Sequence, residues 1–325
     1  MSGFTITAGV SFSGGFTFTE APVENTAAWF GGGYSGSGGA FRLSSVQRIT
    51  FATDTDTGTI RGPLSLARSN AGAVANTTYG WFAGGITSAG SPYAFTSLID
   101  RITYATDTAT ASVRGPLSSP KYAPAGAGNT TDGWFSGGYG GPSWQAVQRI
   151  TYATDTATAS VRGPLNVARI GAAAAGNTTD GWFAGSSYID TYPSQPAKSS
   201  VDRITYATDT ATAVTRGPLS SPKGTFGGAG NTTNGWFGAS YGGTTTVDRI
   251  TYATDTATAS ARGPLGSSTA NTGVSNDTAS WWGGGYTPIY KITNATDTAT
   301  ASTRGSLSSS GRNTGLWMVA AGGIQ

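Results

Sequence analysis

The sequence predicts an all-β fold, a β-propeller of four-stranded antiparallel blades occupying residues 1–325 as a single domain. Three observations predict it. The seventeen residues "RITYATDTATASVRGPL" at 101–117 recur unchanged at 149–165, with variants beginning at Arg48, Arg203, Arg249 and Lys291. A tryptophan signature alternates with them, at Trp29, Trp81, Trp134, Trp182, Trp236, Trp281 and Trp317. No stretch carries a 3.6-residue apolar period. Repeats of this length mark solenoids, propellers or arrays, and the lack of helical periodicity leaves the all-β forms.

The spacing separates scaffold from loop. Arg48 to Trp81, Arg101 to Trp134, Arg149 to Trp182 and Arg203 to Trp236 are each 33 residues apart. From each Trp to the next Arg or Lys the distance is 19, 20, 15, 21, 13 and 10. Packed elements resist insertion and surface loops absorb it, so the constant interval is scaffold and the variable one a loop.

Within a repeat each element has its own signal. "VQRITYA" alternates, with Val147, Arg149 and Thr151 on one face and Gln148, Ile150 and Tyr152 on the other. The "TDT" that follows predicts a turn in which Asp155 bonds its own backbone. "TATASVRG" is a second β-biased run, ended by "GPL" because proline cannot donate to a ladder. "AAAAGN" is a short strand of very small residues, "NTTDG" a turn, and "GWFAGG" the remaining strand. Such a meander has two faces to cover, and radial stacking covers both. The small-residue strands "APAGAGN", "GAAAAGN" and "TFGGAGN" suit the crowded axis. A right-handed β-helix is the competing form, but it leaves a Trp-Phe pair once per repeat unexplained.

Seven Trp strands predict seven blades, with six as the alternative. The N-terminal hairpin "GFTITAGVSFSGGFTFTE" is expected to complete the blade begun by the C-terminal "GLWMVAAGGIQ". Joining the chain ends in one sheet removes the most exposed edge.

The order Gly-Ala, Gly-Trp-Phe-x-Gly-Gly, Val-x-Arg-Ile-x-Tyr, Asp-x-x-Thr resembles the kelch motif over essentially the whole chain. It departs where kelch repeats carry a strand-four tryptophan, here replaced by the Ser-Val-Arg-Gly-Pro-Leu type of stretch. The wording "ATDTATASVRGPLS…GNTTDGWFAGG" is also similar to propeller repeats in structural and fibre-like virion proteins of marine, cyanophage-like bacteriophages. That resemblance implies a virion component that docks on other virion proteins or contacts the host surface.

Composition narrows the function classes. Histidine and cysteine are absent, which excludes a Ser-His-Asp triad, thiolate chemistry and the ligands of a kelch-type copper oxidase. The two glutamates, Glu20 and Glu24, lie together near the N-terminus, and nothing marks the carboxylate pair of a glycosidase. No enzyme, cofactor or metal is expected. The net charge of +3 lacks the basic stripe of a nucleic-acid binder, since 12 of the 19 cations fall at repeat positions. No apolar tract is long enough to span a membrane, and no signal peptide is expected, since the first residues lack a cationic and an apolar region. The expected location is a virion, or alternatively the cell surface or exterior.

The candidate residues fall into two groups. The repeated Asp54, Asp107, Asp155, Asp209, Asp255 and Asp297 read as structural turn residues. Asp54-Thr-Asp56-Thr-Gly58 bears only a faint likeness to a calcium loop. Paired arginines such as Arg149 and Arg162 are expected to cross-link hairpins and blades, and Asn76, Asn129, Asn177 and Asn231 to form turns rather than glycosylation acceptors. Tyr34, Tyr139, Tyr188, Tyr241 and Tyr286 recur just after the Trp strand, which argues for packing. Phe41, Tyr93, Phe95, Trp144 and Tyr192 instead belong to single variable loops that emerge on one face. These five are the candidate binding residues, for a protein pocket or for sugar rings. A carbohydrate-binding lectin or adhesin is therefore the alternative function.

Overall fold

The computed structural model describes residues 26–35, 41–88, 92–141, 143–186, 196–224, 227–240, 243–268, 272–284, 288–307 and 319–321. They form six four-stranded antiparallel sheets arranged as the blades of a propeller. Blade 1 begins with β1 (Ala27–Gly31). A small hairpin, β2 (Tyr34–Ser35) and β3 (Phe41–Arg42), stands in its loop, and β4 (Val46–Thr50) and β5 (Thr59–Arg61) follow. Blade 2 comprises β6 (Gly72–Ala75), β7 (Tyr79–Ala83), β8 (Ile99–Thr103) and β9 (Ser112–Arg114). Blade 3 comprises β10 (Ala125–Gly128), β11 (Asp132–Ser136), β12 (Val147–Thr151) and β13 (Ser160–Arg162). Blade 4 comprises β14 (Ala173–Gly176), β15 (Asp180–Ala184), β16 (Val201–Thr205) and β17 (Val214–Arg216). Blade 5 comprises β18 (Gly227–Gly230), β19 (Asn234–Ser240), β20 (Thr244–Thr251) and β21 (Ser260–Arg262). Blade 6 comprises β22 (Thr272–Ser275), β23 (Ala279–Gly283), β24 (Pro288–Thr293) and β25 (Ser302–Ser306).

The last strand, β26 (Val319–Ala321), pairs antiparallel with β1, placing Ala321 opposite Trp29 and Ala320 opposite Phe30. Blade 1 therefore takes its innermost strand from the C-terminal part of the chain, and the ring closes within one sheet. This corrects the seven-blade expectation to six. The run after Trp317 does not start a seventh Trp strand. Its Val-Ala-Ala is the small-residue inner strand of blade 1, equivalent to Ala173-Ala174-Ala175 of blade 4. Trp317 itself and the expected N-terminal hairpin lie outside the described residues.

Register is the same in every blade. Trp29, Trp81, Trp134, Trp182 and Trp236 sit opposite Arg48, Arg101, Arg149, Arg203 and Arg249, and Trp281 opposite Lys291. Paired residues on neighbouring strands share a face. Each Trp and its cation therefore look together at the next blade, and the aromatic that follows, Phe in blades 1 to 5 and Trp282 in blade 6, looks at the previous one. The core follows from this. It is six apolar layers, one between each pair of blades, as where Trp134 and Val147 of blade 3 meet Phe183, Ile204 and Tyr206 of blade 4. Trp281 and Val274 of blade 6 meet Phe30, Ile49 and Phe51 of blade 1 in the closing layer.

The axis explains the small residues. A Cβ on Gly126 would stand 2.1 Å from the Ala73 carbonyl oxygen, and one on Gly228 2.1 Å from that of Ala174. Adjacent inner strands touch backbone to backbone, so any larger residue would separate the blades. Turns join the inner strand to the Trp strand of each blade as the composition suggests. Asn129 Oδ1 accepts the amides of Thr131 and Asp132, both at 2.9 Å. Asn76, Asn177, Asn231 and Asn276 repeat that turn. No helix among the described residues is long and apolar enough to cross a membrane.

Candidate functional site

The repeated aspartate, arginines and tryptophan meet between blades. Asp209 of blade 4 accepts the Trp134 indole N–H at 2.8 Å and Arg149 Nη1 at 3.2 Å, and Arg162 Nε lies 3.4 Å away. All three donors come from blade 3. Every seam repeats the arrangement. Trp29, Trp81, Trp182 and Trp236 donate to Asp107, Asp155, Asp255 and Asp297, and Trp281 closes the circle on Asp54 at 2.7 Å. The aspartate is structural as expected, but it binds its neighbour rather than its own turn. The preceding Tyr-Ala-Thr forms a 3-10 turn, which holds the carboxylate at the seam. Asp54, the first residue of the calcium-like segment, is occupied with Trp281, Lys291 and Arg304.

The same turn supplies an aromatic lid. Tyr206 stacks on Trp134 at 3.9 Å between centroids, as Tyr104, Tyr152 and Tyr252 do on Trp29, Trp81 and Trp182. Phe51 covers Trp281 at 4.0 Å. Burial raises the hydroxyl pKa of Tyr152 and Tyr206 well above the ordinary value, so these rings stay neutral. The "RGP" wording belongs to the seam as well. The amide of Gly217 donates to the Asp255 carbonyl at 2.8 Å, and the Ala259 amide donates to the Pro218 carbonyl at 2.8 Å. A Cβ on Gly217 would lie 1.9 Å from the Ala257 carbonyl oxygen. Proline ends its own strand, yet its carbonyl extends pairing into the next blade.

On the opposite side of the ring the cross-links differ from blade to blade. Arg68 and Asp100 form a fully buried pair at 3.0 Å, and Arg169 and Asp202 one at 3.1 Å. Burial lowers the pKa of both arginines, and the facing carboxylate opposes the shift. Lys223 faces Asp248 at 3.7 Å. Lys121 has no such carboxylate, because Gln148 stands at that position and bonds Ser118 instead. The Lys121 ammonium donates to the carbonyls of Gly140 (2.7 Å) and Ser143 (2.5 Å), and burial lowers its pKa to about 8. Reading the sequence missed this second series. Its signal was present, since Arg68, Lys121, Arg169 and Lys223 recur at the spacing of the repeat itself.

The five candidate binding residues divide. Phe41 on β3 is 67% exposed and Tyr93 39%. Arg42 lies over the Tyr34 ring and donates to the Ser88 carbonyl at 3.0 Å, bracing the blade 1 hairpin on the blade 2 loop. Phe95 and Trp144 are half-buried and pack with Ile86, Tyr122, Ile170 and Tyr139 in a small satellite core. The Phe95–Tyr139 centroids are 5.4 Å apart, and those of Tyr139 and Trp144 5.2 Å. Recurrence had pointed to packing for Tyr34 and Tyr139, and both are packed. Tyr188, Tyr192, Tyr241 and Tyr286 lie outside the described residues.

Among the described residues no group of three or more Asp or Glu side chains could hold a metal ion. No protein-family model matches the chain, and no curated protein matches it significantly. What the geometry defines is a six-bladed β-propeller whose repeated side chains hold the blades together.

Proposed function

We propose that the protein is a non-enzymatic binding propeller and a structural component of a bacteriophage particle, docking on other virion proteins or on the host surface through its loop face. One observation carries the reading. The repeated Asp, Arg and Trp side chains are engaged in the seams, whereas the exposed aromatics Phe41 and Tyr93 stand on loops with no counterpart in other blades. Exposed aromatic side chains on a rigid frame are what recognition surfaces use. The similarity of "ATDTATASVRGPLS" to virion propeller repeats supports the setting, and the kelch-like motif order supports a binding rather than a catalytic propeller.

A lectin is the second reading, favoured by the half-exposed Trp144 ring held against Tyr139. Two experiments separate the possibilities. Mass spectrometry of purified particles should detect the chain, and its absence there contradicts the virion assignment. A glycan array probed with wild type and Trp144→Ala should show no reproducible loss if docking is to protein, and a loss if the protein is a lectin.

A further inference from the structure

The seams contain more positive charge than their own cross-links consume. Each has two cations from one blade and one aspartate from the next, as Arg249 and Arg262 converge on Asp297 at 3.1 and 3.5 Å. In blades 3 and 4 a second carboxylate restores balance; blade 2 places Tyr79 there, its ring 4.2 Å from the Arg101 guanidinium, and blades 1 and 6 place the uncharged Ala27 and Ala279. Asp132 lies 3.7 Å from Arg149, and Asp180 3.5 Å from Arg203. Blade 5 places Asn234 at that position. Asn234 Oδ1 accepts the Thr251 hydroxyl at 2.9 Å, as Asp180 Oδ1 accepts that of Thr205 at 2.6 Å. The local geometry is kept and only the charge is gone. Arg249 and Arg262 remain partly exposed, at 26% and 19% of the side chain. The other acid of that corner, Asp277, contributes its backbone carbonyl to Asn231, and its carboxylate pairs with neither Arg249 nor Arg262.

We propose that the seam between blades 5 and 6 is an oxyanion site for a sulfate or phosphate ester, the Arg249 and Arg262 guanidiniums taking the charge that Asp297 leaves uncompensated. A guanidinium presents five donors in a planar fork matched to such oxygens, and a single carboxylate shared with the Trp236 indole occupies few of them. The site is on the turn side of the ring and independent of the loop-face reading. The balanced seams at Asp132 and Asp180 are built-in controls.

The test is binding of fluorescent dextran sulfate and of polyphosphate, with uncharged dextran as blank, at low and high salt. Asn234→Asp should weaken polyanion binding about two- to fivefold, the size of one partly exposed ion pair. Asp180→Asn should strengthen it by a similar factor. Asn166→Asp makes the same chemical change on the opposite, loop side and should leave binding unchanged. Preference for dextran sulfate assigns a sulfate ester, and preference for polyphosphate a phosphoryl group. Equal losses in Asn234→Asp and Asn166→Asp mean nonspecific attraction and overturn the proposal, as does no change in Asn234→Asp. Each substitution is near-isosteric, and thermal melting verifies that every variant is folded.

Discussion

The two sides of the ring solve one problem differently. On the turn side every blade grips the next with the same aspartate, tryptophan and two cations, and with a glycine against the same turn, followed by proline in blades 1 to 5 and by Ser306 in blade 6. On the loop side the buried cation is Arg68, Lys121, Arg169 or Lys223; three of them face an Asp, and Lys121 donates to backbone carbonyls instead. The lengths of the connections vary there too. Where a residue must fit a copy of its own repeat, any change must be matched in the neighbouring blade, and wording is held constant. Where loops meet only adjacent loops, each junction is adjusted alone. Invariance in this chain therefore marks the blade interface, and variation marks the surface available for contact.

The sharpest way to break this comparison is to remove a seam carboxylate. Asp209→Ala leaves the buried Trp134 indole N–H without its acceptor and takes the shared carboxylate from the partly exposed Arg149 and Arg162. The stranded indole donor alone costs about 1–3 kcal/mol and the two lost ion pairs add to it, which denaturant unfolding should register. A loss no larger than that of an exposed Thr→Ala change would refute the seam as the main cross-link. Gly217→Ala comes next. Its Cβ meets a neighbouring backbone oxygen at 1.9 Å, and overpacking costs roughly 1–3 kcal/mol or more. A drop in Tm without loss of β structure is the expected result.

The loop side is sharpened by pH. The folded chain releases the Lys121 proton near pH 8, while the unfolded chain keeps it to about 10.5. Between these values the unfolded state binds more protons, so this group makes stability rise with pH. Lys121→Met should flatten that rise between about pH 8 and pH 10.5, in urea titrations run side by side with wild type. Gln148→Asp supplies the carboxylate that Arg169 and Lys223 already have, and should flatten it likewise. The smallest effect belongs to Phe41→Ala. A side chain this exposed contributes within about 0.5 kcal/mol to folding, so unfolding should be unchanged while docking through the loop face is lost.

The blade order, strand identities and loop positions were legible because a repeat exposes its own constant and variable parts. "AAAAGN" read as an inner strand, and residues 173–176 form one. Counting Trp317 as the mark of a Trp strand overstates the blade number, because the Val-Ala-Ala after it forms the inner strand of blade 1. The role of Asp155 was misplaced for a different reason. A turn aspartate can serve its own backbone or a distant partner, and local sequence does not distinguish them. The partner, Trp81, is 74 residues away. Of the loop aromatics, exposure of Phe41 and packing of Trp144 depend on neighbouring loops, which spacing alone does not place.

A closed six-membered ring requires the junction between blades 6 and 1 to resemble the others. The chain lacks cysteine, and Thr55, Thr156, Thr210 and Thr298 are exposed at equivalent turns of blades 1, 3, 4 and 6. Spin-label distances measured on Thr298→Cys/Thr55→Cys and on Thr156→Cys/Thr210→Cys test the closure directly. Ring closure predicts the same distance for both pairs. A clearly longer or broadly spread distance for the first pair, beside a sharp one for the second, would contradict it.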